Sequence, residues 1–307
     1  MDATAGPTKR LFFDDVGILE FDARVVGRLD WDGQPAVVLD RTAFYAESGG
    51  QPWDLGSIGG AAVLKVVEDG DVLVHVLDRP LAADDVHGAV DGARRLDHMQ
   101  QHSGQHVLSQ AFLEILNGET RSFHLGETSS TLEIGIASAP EEALDRVERR
   151  ANAVVFQDRP VKTYFVEPQR IAEVPLRRPP KVSGTIRVVE IEDFDCSACG
   201  GTHVRRTGEI GLIKITGIER IRGQLRFTFL CGGRALADFQ RKNRVVRELA
   251  GRFNAPDRDI PAAVDKLAGE LKAARKALRA ADERAAALEA GALAAQARGP
   301  IIAGVFP

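Results

Sequence analysis

Short apolar runs separated by turns occupy the first ninety residues of the chain. Valine and leucine are concentrated, with partial alternation, in segments 19–29, 36–40, 61–69 and 72–78. Turn-forming Asp-Gly pairs stand between neighbouring runs. Strands at a spacing of roughly ten residues, with no helical pattern between them, indicate a small antiparallel β-barrel. We therefore predict an N-terminal β-barrel domain over residues 1–90.

A helical period replaces the strand pattern further along the chain. Apolar positions recur at steps of three and four over residues 96–116, and the pair Asn117-Gly118 is a typical helix stop. This segment is therefore predicted to be an amphipathic helix.

A second helix and a return to strands complete the central part of the chain. The helix is predicted over residues 140–157, where Ser138 and Glu141 have the spacing of a capping box. Residues 163–229 again have the composition of strands and loops. Residues 91–240 are therefore predicted to form an α+β core.

The last part of the chain has a heptad pattern. Apolar residues recur at alternating steps of three and four over residues 264–292, with charged residues on the flanks. The seam is rich in alanine, and we expect it to pair weakly, within the chain or as a homodimer. Gly299-Pro300 is expected to end the helix, and IIAGVF (301–306) resembles the start of a strand. Residues 241–307 are thus interpreted as a long helix or coiled coil followed by the start of a truncated C-terminal domain.

Composition restricts the class of protein. The chain has 307 residues, of which 44% are hydrophobic, so a sizeable core is expected. It contains no apolar run of about 20 residues, which excludes a membrane span, and its start does not have the form of a secretory signal. Three cysteines are too few for a disulfide framework and favour a reducing cytoplasm. A net charge of -4 argues against bulk, non-specific nucleic-acid binding but is compatible with a local basic groove.

Two pairs of residues have the spacing and chemistry of metal ligands. His102 and His106 lie four apart in the first predicted helix, so both imidazoles are on one face. Cys199 and His203 are also four apart, in a CGGTH segment whose glycines indicate a tight loop. A mixed set of thiolate and imidazole favours zinc over magnesium, calcium or manganese. We therefore predict one Zn²⁺ per chain, at a site that is either structural or catalytic.

Three other residues of ligand type are interpreted differently. His98 lies four residues before His102, but near the expected helix start, where a solvated side chain is the usual case. Cys196 has the C-x-x-C spacing to Cys199, so it stays an alternative ligand. Cys231 is expected to be a small buried residue.

Four separated motifs, in this order, closely resemble the editing domain of alanyl-tRNA synthetase. They are TAFYAESGGQPWDLG (42–56), MQQHSGQHVLSQAF (99–112), SFHLGE (122–127) and DCSACGGTHVRRTGEIGLIKI (195–215). The resemblance covers roughly residues 10–240 and is strongest to the free-standing alanyl-tRNA editing proteins of the long form. It implies editing without aminoacylation.

The resemblance implies a substrate, a reaction and the ligands of the metal. The expected substrate is alanine tRNA wrongly charged with serine, or with glycine, and the expected reaction is hydrolysis of the aminoacyl ester. In the family, the two motifs of the type described above hold zinc. This carries over to His102, His106, Cys199 and His203.

The resemblance also suggests residues that contact the substrate. The SGGQ segment, Ser48, Gly49, Gly50 and Gln51, is similar to the family's glycine-rich motif beside the site, although a hairpin loop explains it equally well. By matching family positions, Gln105 and Ser122 are expected to line the catalytic pocket.

Basic residues cluster near the second pair of predicted ligands. We expect Arg205 and Arg206, directly after the CGGTH loop, to bind RNA phosphates. Weaker candidates for the same role are Arg177, Arg178, Lys181, Arg187, Arg220 and Arg222.

Two alternative functions stay open from the sequence. One is an RNA-binding module in which the zinc is purely structural. The other is an editing domain of the threonyl type, which uses a similar pair of motifs.

Overall fold

The computed structural model describes residues 6–179, 184–296 and 299. Its helices are α1 (Leu11–Asp14), α2 (Gly92–Leu116), α3 (Glu141–Phe156), α4 (Gly232–Phe253) and α5 (Ile260–Ala295). Its strands are β1 (Lys9–Arg10), β2 (Glu20–Trp31), β3 (Gln34–Leu39), β4 (Arg41–Thr42), β5 (Gly56–Ile58), β6 (Ala61–Asp69), β7 (Val72–Leu77), β8 (Asp85–Val90), β9 (Thr120–Leu125), β10 (Ser130–Ile134), β11 (Val161–Val166), β12 (Ile186–Ile191), β13 (Asp195–Ala198), β14 (Ile213–Ile221) and β15 (Gln224–Cys231). Short 3₁₀ helices lie at Pro168–Glu173, Thr207–Ile210 and Asp257–Asp259.

The chain divides into two compact units, with the boundary between Asp238 and Phe239. None of the helices in the described ranges combines the length and apolar character of a membrane span.

Six antiparallel strands in the N-terminal part close on themselves. Their order is β2-β3-β7-β6-β5-β8, and β8 pairs back to β2, so each strand has two hydrogen-bonded neighbours. The four predicted strands correspond to β2, β3, β6 and β7, whereas β5 and β8 were not predicted. β8 contains Gly88, where a Cβ would lie 2.5 Å from the Phe21 ring. The glycine makes room for this buried ring. It also interrupts the alternation of apolar residues by which a strand is recognised in the sequence.

Helix α2 is the element that carries the first predicted metal ligands. It begins at Gly92, four residues before the predicted start, because the Asp91 side chain accepts hydrogen bonds from the backbone of Ala93 and Arg94. It ends at Asn117, which adopts the left-handed conformation with φ of 48°. The predicted stop is therefore confirmed.

Helix α2 packs against a four-stranded antiparallel sheet of order β14-β15-β10-β9. At Gly104 a Cβ would lie 2.2 Å from the Cys231 sulfur, so the helix approaches β15 closely. The core between helix and sheet is apolar and includes Phe112, Leu132 and Phe227. This packing fixes the position of the helix face that carries the histidines.

The predicted capping box of α3 is wrong. The residue at the N-cap is Pro140, and no side chain caps the helix. Ser138 lies two residues before the N-cap. The helix itself is confirmed over Glu141–Phe156, and it buries Val147 and Ala151.

A three-stranded antiparallel sheet of order β11-β12-β13 precedes the CGGTH segment, which is a loop as predicted. The protein is thus a mixed α and β structure with several antiparallel sheets. Residues on either side of position 90 have separate apolar cores. The division into domains 1–90 and 91–240 stays a prediction.

Two long helices form the described C-terminal part. Helix α4 begins at Gly232, earlier than the predicted tail at 241, and α5 covers all of the heptad seam. The seam leucines are exposed on α5. The helix ends at Ala295, four residues before Gly299. The strand start predicted over 301–306 lies outside the described residues.

Candidate metal centre

Two distant segments bring four ligand atoms together. Helix α2 supplies His102 and His106, one turn apart, and the loop after β13 supplies Cys199 and His203. Their four nearest ligand atoms all lie within 4.8 Å of one another. The histidines are buried, and Cys199 is partly exposed.

Two separations within this cluster match those between ligands of a zinc ion. Cys199 Sγ lies 3.3 Å from Nε2 of His102 and 3.3 Å from Nε2 of His203. Ligand atoms on a tetrahedral zinc stand about 3.3 to 3.6 Å apart, given zinc–sulfur and zinc–nitrogen bonds of about 2.3 and 2.0 to 2.1 Å. Three imidazoles and one thiolate are also a donor set that zinc prefers. The four residues could therefore hold a zinc ion.

Close packing determines the shape of the CGGTH loop. At Gly201 a Cβ would lie 2.2 Å from Cε1 of His102, so a larger residue would displace a metal ligand. Arg187 holds the loop from the other side, because its Nη1 donates to the carbonyl oxygens of Cys199 (3.0 Å) and Gly201 (2.8 Å). Arg187 is buried, which contradicts its predicted role as an exposed phosphate ligand.

Each histidine of the cluster has a partner for its second ring nitrogen. His106 Nδ1 lies 3.1 Å from Asp195 Oδ2, and His102 Nδ1 lies 2.8 Å from Gln51 Oε1. Ser103 Oγ lies 3.2 Å from His203 Nδ1. Such partners orient metal-binding histidines and influence metal affinity. Sequence reasoning does not find Asp195 or Ser103, and it gives Gln51 a different role.

The electrostatics of the cluster favour the metal-binding state of the thiol. Burial alone would raise the pKa of Cys199, but His102 and His203 hold it well below its usual range. Burial, with His102 nearby, lowers the pKa of His203 to about 3. A thiolate and a neutral imidazole are the forms that bind zinc.

His106 differs from the other two histidines in its charge. Burial alone would lower its pKa, but Asp195 and Cys199 raise it to about 9. A metal ion that binds His106 therefore displaces a proton at neutral pH. Asp195 is in turn paired with Arg177 at 3.3 Å.

Arg177 is an internal residue and not a free phosphate ligand. Its Nη1 also donates to the backbone carbonyl of His106 (3.2 Å), and its side chain is only 13% exposed. The prediction for Arg177 is thus wrong for the same reason as that for Arg187: both guanidinium groups are used within the site.

The structure separates the remaining ligand-type residues from the cluster. Cys196 packs with Val166 and Val188 on the three-stranded sheet, away from the four ligands. Cys231 is buried, as predicted. His98 is also buried, with neither ring nitrogen hydrogen-bonded, so its predicted solvation is wrong. Because α2 begins earlier than predicted, His98 lies in its second turn.

The SGGQ segment forms a tight hairpin turn. Ser48 and Gln51 pair with each other through both backbone hydrogen bonds, while Gly49 and Gly50 have φ angles of 56° and 85°. Gln51 is fully buried and contacts His102. For Ser48, Gly49, Gly50 and Gln51, substrate binding stays a prediction.

The two predicted catalytic residues lie in different environments. Gln105 is buried, and its Nε2 donates to Ser109 (2.7 Å) while its Oε1 has no hydrogen-bond partner. Ser122 is exposed on β9, where it is hydrogen-bonded to Glu133 and helps keep the pKa of that carboxyl low, after the larger effect of Arg226. The neighbouring Phe123 packs 5.5 Å from the His102 ring. Because side chains alternate along a strand, Ser122 and Phe123 point to opposite faces of β9. The place of Ser122 in a catalytic pocket stays a prediction.

The basic residues after the loop are exposed but paired. Arg205 forms an ion pair with Asp15 at 2.5 Å, and Arg206 forms one with Asp158 at 2.6 Å. Their side chains are 60% and 50% exposed. Of the weaker candidates, Arg178 lies near Glu119, Arg220 and Arg222 lie at the exposed turn between β14 and β15, and Lys181 lies outside the described residues.

A small cavity lies beside His203. Its volume is about 130 Å³, and His203, Phe13, Asp15 and Arg205 are among its lining residues. This volume is well below the roughly 300 to 1,000 Å³ of pockets for drug-sized ligands, so the cavity suits a small group.

Comparison with known proteins agrees with the motifs. Residues 186–227 match the threonyl and alanyl tRNA synthetase second additional domain. The chain is 35% identical over 286 residues to the alanine–tRNA ligase of Pyrococcus abyssi, which covers 88% of this chain and 31% of that protein. It is 38% identical over 291 residues to that of Thermococcus kodakarensis (88% and 30%) and 37% identical over 324 residues to that of Pyrobaculum calidifontis (95% and 34%).

The predicted resemblance to alanyl-tRNA synthetases is confirmed. The chain spans about a third of the length of these relatives. The matched domain contains Cys199 and His203, whereas the two histidines of α2 lie outside it but within the part of the chain similar to the ligases.

Proposed function

We propose that this chain removes wrongly attached amino acids from alanine tRNA by hydrolysis of the aminoacyl ester at a zinc site. The observation that carries the proposal is the cluster of His102, His106, Cys199 and His203. It lies in a chain similar to alanine–tRNA ligases, and the two separations from Cys199 Sγ to imidazole nitrogens match those on zinc. Serine-charged alanine tRNA is the expected substrate, with glycine-charged tRNA as a second one.

The chemistry is ester hydrolysis. The oxygen of water bonds to the ester carbonyl carbon and the bond from that carbon to the ribose oxygen breaks, so the products are a free amino acid and uncharged tRNA. A bound zinc ion supplies Lewis acidity to such a site. The protein's own residues orient the ligands: Asp195 and Gln51 hold two of the imidazole rings, and Arg187 holds the loop that carries Cys199.

The surroundings of the cluster support a small aminoacyl group and an RNA. The cavity beside His203 is small, which favours the aminoacyl end of a tRNA over a larger ligand. Arg205 borders this cavity and stays largely exposed despite its ion pair with Asp15, so it is suited to a phosphate contact. A cytoplasmic location and a tRNA partner are part of the proposal.

One alternative is favoured by the cluster itself. Four protein ligands normally close a structural zinc site, so an RNA-binding module with a structural ion has the same geometry.

A second alternative concerns the substrate. The matched domain is shared by threonyl and alanyl tRNA synthetases, so threonine tRNA is an alternative substrate.

The test is deacylation of purified charged tRNAs by the zinc-loaded protein. We expect rapid release of serine from serine-charged alanine tRNA and slow release of alanine from correctly charged alanine tRNA. A preference for serine-charged threonine tRNA would favour the threonyl type. Tight tRNA binding with no release of any amino acid would favour the RNA-binding module and reject hydrolysis.

A further inference from the structure

Among the described residues before α2, Gln51 is the only one whose side chain is hydrogen-bonded to a predicted metal ligand. It comes from the tight SGGQ turn and lies 51 residues before His102. Its side chain is fully buried, which is uncommon for glutamine, so its polar atoms need partners inside the protein.

Two contacts with Thr202 show which way the amide of Gln51 faces. Its Oε1 accepts a hydrogen bond from the backbone N–H of Thr202 at 3.1 Å, and its Nε2 donates to Thr202 Oγ1 at 2.8 Å. A backbone N–H can only donate, so the atom opposite it must be the oxygen. The amide orientation therefore follows from the protein's own hydrogen bonds.

The same oxygen then determines the tautomer of His102. Oε1 lies 2.8 Å from His102 Nδ1, and because an amide oxygen can only accept, Nδ1 must carry the proton. In the neutral form of this ring the free lone pair is then on Nε2, on the side where Cys199 Sγ lies 3.3 Å away. Asp195 likewise accepts from His106, so Nδ1 of that ring also carries a proton.

The turn that carries Gln51 lies closely against β9. The Gly50 carbonyl accepts a hydrogen bond from the Leu125 backbone at 3.0 Å, and a Cβ at Gly50 would lie 3.2 Å from the Phe123 carbonyl oxygen. Gly201 leaves room for the Gln51 oxygen, which would lie 2.9 Å from a Cβ there. Glycines in the SGGQ and CGGTH segments thus permit the close contact between Gln51, Thr202 and His102.

We propose that Gln51 is a positioning residue of the metal centre that fixes His102 as the Nδ1-protonated tautomer, so that its Nε2 is ready to bind the ion. This assigns the glycine-rich turn a role in metal binding. It rests on the proposed zinc site but not on hydrolysis, and its test is independent of catalysis.

The test compares two substitutions of Gln51 by zinc affinity, measured by competition with a chromophoric chelator. Gln51→Met keeps the length of the side chain but has no acceptor, and we expect zinc affinity to fall about 10- to 100-fold. Gln51→Glu keeps an acceptor for His102 Nδ1 and for the Thr202 N–H, so it should retain affinity within about 3-fold of the original protein or better.

A matched control is Gln101→Met. Gln101 is equally buried and lies next to His102 on α2, but its amide is hydrogen-bonded to the Cys231 backbone and not to a ligand. We expect it to lower the free energy of unfolding without a comparable loss of zinc affinity. Equal losses in Gln51→Met and Gln101→Met, or equal losses in Gln51→Met and Gln51→Glu, would overturn the assignment.

A second measurement does not depend on a folded variant. Long-range ¹H–¹⁵N NMR spectra of the zinc-loaded protein report which ring nitrogen of each histidine carries the proton. We expect His102 to be protonated at Nδ1, and protonation at Nε2 would overturn the proposal. A protein that meets both expectations yet hydrolyses no charged tRNA would reject the proposed function alone.

Discussion

At the scale of single residues, the four ligands could be predicted and most of their partners could not. The four-residue spacings of the two ligand pairs are visible in the sequence, because each pair lies in one local segment. Asp195 follows His106 by 89 residues, and Gln51 precedes His102 by 51. Contacts between residues so far apart produce no recognisable spacing in the sequence. These partners can therefore be found only once the fold is known.

Burial explains the errors made for two arginines. Arg177 and Arg187 were predicted to be phosphate ligands, yet both are largely buried, as is Gln51. Each is hydrogen-bonded to a metal ligand or to the loop that carries one. The guanidinium groups of the two arginines and the amide of Gln51 therefore hold the metal ligands in place instead of facing solvent.

His75 gives a residue-scale prediction on acid stability. It is fully buried in the closed six-stranded sheet, between Thr42 Oγ1 (2.9 Å) and the Val37 carbonyl (3.3 Å), and burial lowers its pKa from 6.5 to about 4. The unfolded chain therefore binds more protons than the folded one between these values, and stability contributed by the neutral ring is complete above pH 6.5 and lost as the pH falls towards 4.

We expect His75→Gln to remove this pH dependence, because glutamine can make both hydrogen bonds without titrating. From pH 7 to 4.5 the original protein should lose about 2 to 3 kcal/mol of unfolding free energy relative to the variant. Urea denaturation followed by tryptophan fluorescence measures it, since Trp31 and Trp53 both lie in the N-terminal part. A constant difference across this pH range would contradict the prediction.

At the scale of elements, helices and strands with a clear period were predicted and those without one were not. The predicted strand 61–69 is β6, and the chain leaves α2 at the predicted Asn117. β8 was not predicted because Gly88, which makes room for Phe21, interrupts the apolar pattern of this strand. The α2 start was misplaced because Asp91 lies before the apolar period, and its role as a cap depends on backbone geometry.

Helix α5 gives an element-scale prediction on self-association. Val264, Leu267, Leu271 and Leu278 are exposed along one seam, and we expect this seam to form a weak homodimer. Leu271→Lys with Leu278→Lys should place charge in the seam and give a monomer at about 50 μM, whereas the unchanged protein should associate. Light scattering or sedimentation velocity measures the mass.

The control for this prediction adds the same charge to the opposite face of α5. Ala273→Lys with Ala287→Lys introduces two lysines at exposed positions outside the seam. This variant should associate like the original protein. A monomeric original protein, or equal dissociation of both variants, would reject the seam as the interface.

At the scale of the whole molecule, the site depends on segments from three parts of the chain. The N-terminal part supplies Gln51, α2 supplies two histidines, and the loop after β13 supplies the other two ligands. The α+β class and the antiparallel sheets were predictable from hydrophobic periods. The convergence of these segments was predictable only through the resemblance to a known family.

Ester hydrolysis should require one zinc ion held by this cluster. This requirement is tested by titration of the metal-free protein with zinc while bound metal and the rate of serine release from serine-charged alanine tRNA are recorded on the same samples. We predict that the rate rises with bound zinc, reaches a plateau at about one ion per chain, and stays low in His106→Ala, which should bind little zinc. Full activity in the metal-free protein, or one bound zinc per chain with no release of serine, would contradict the account.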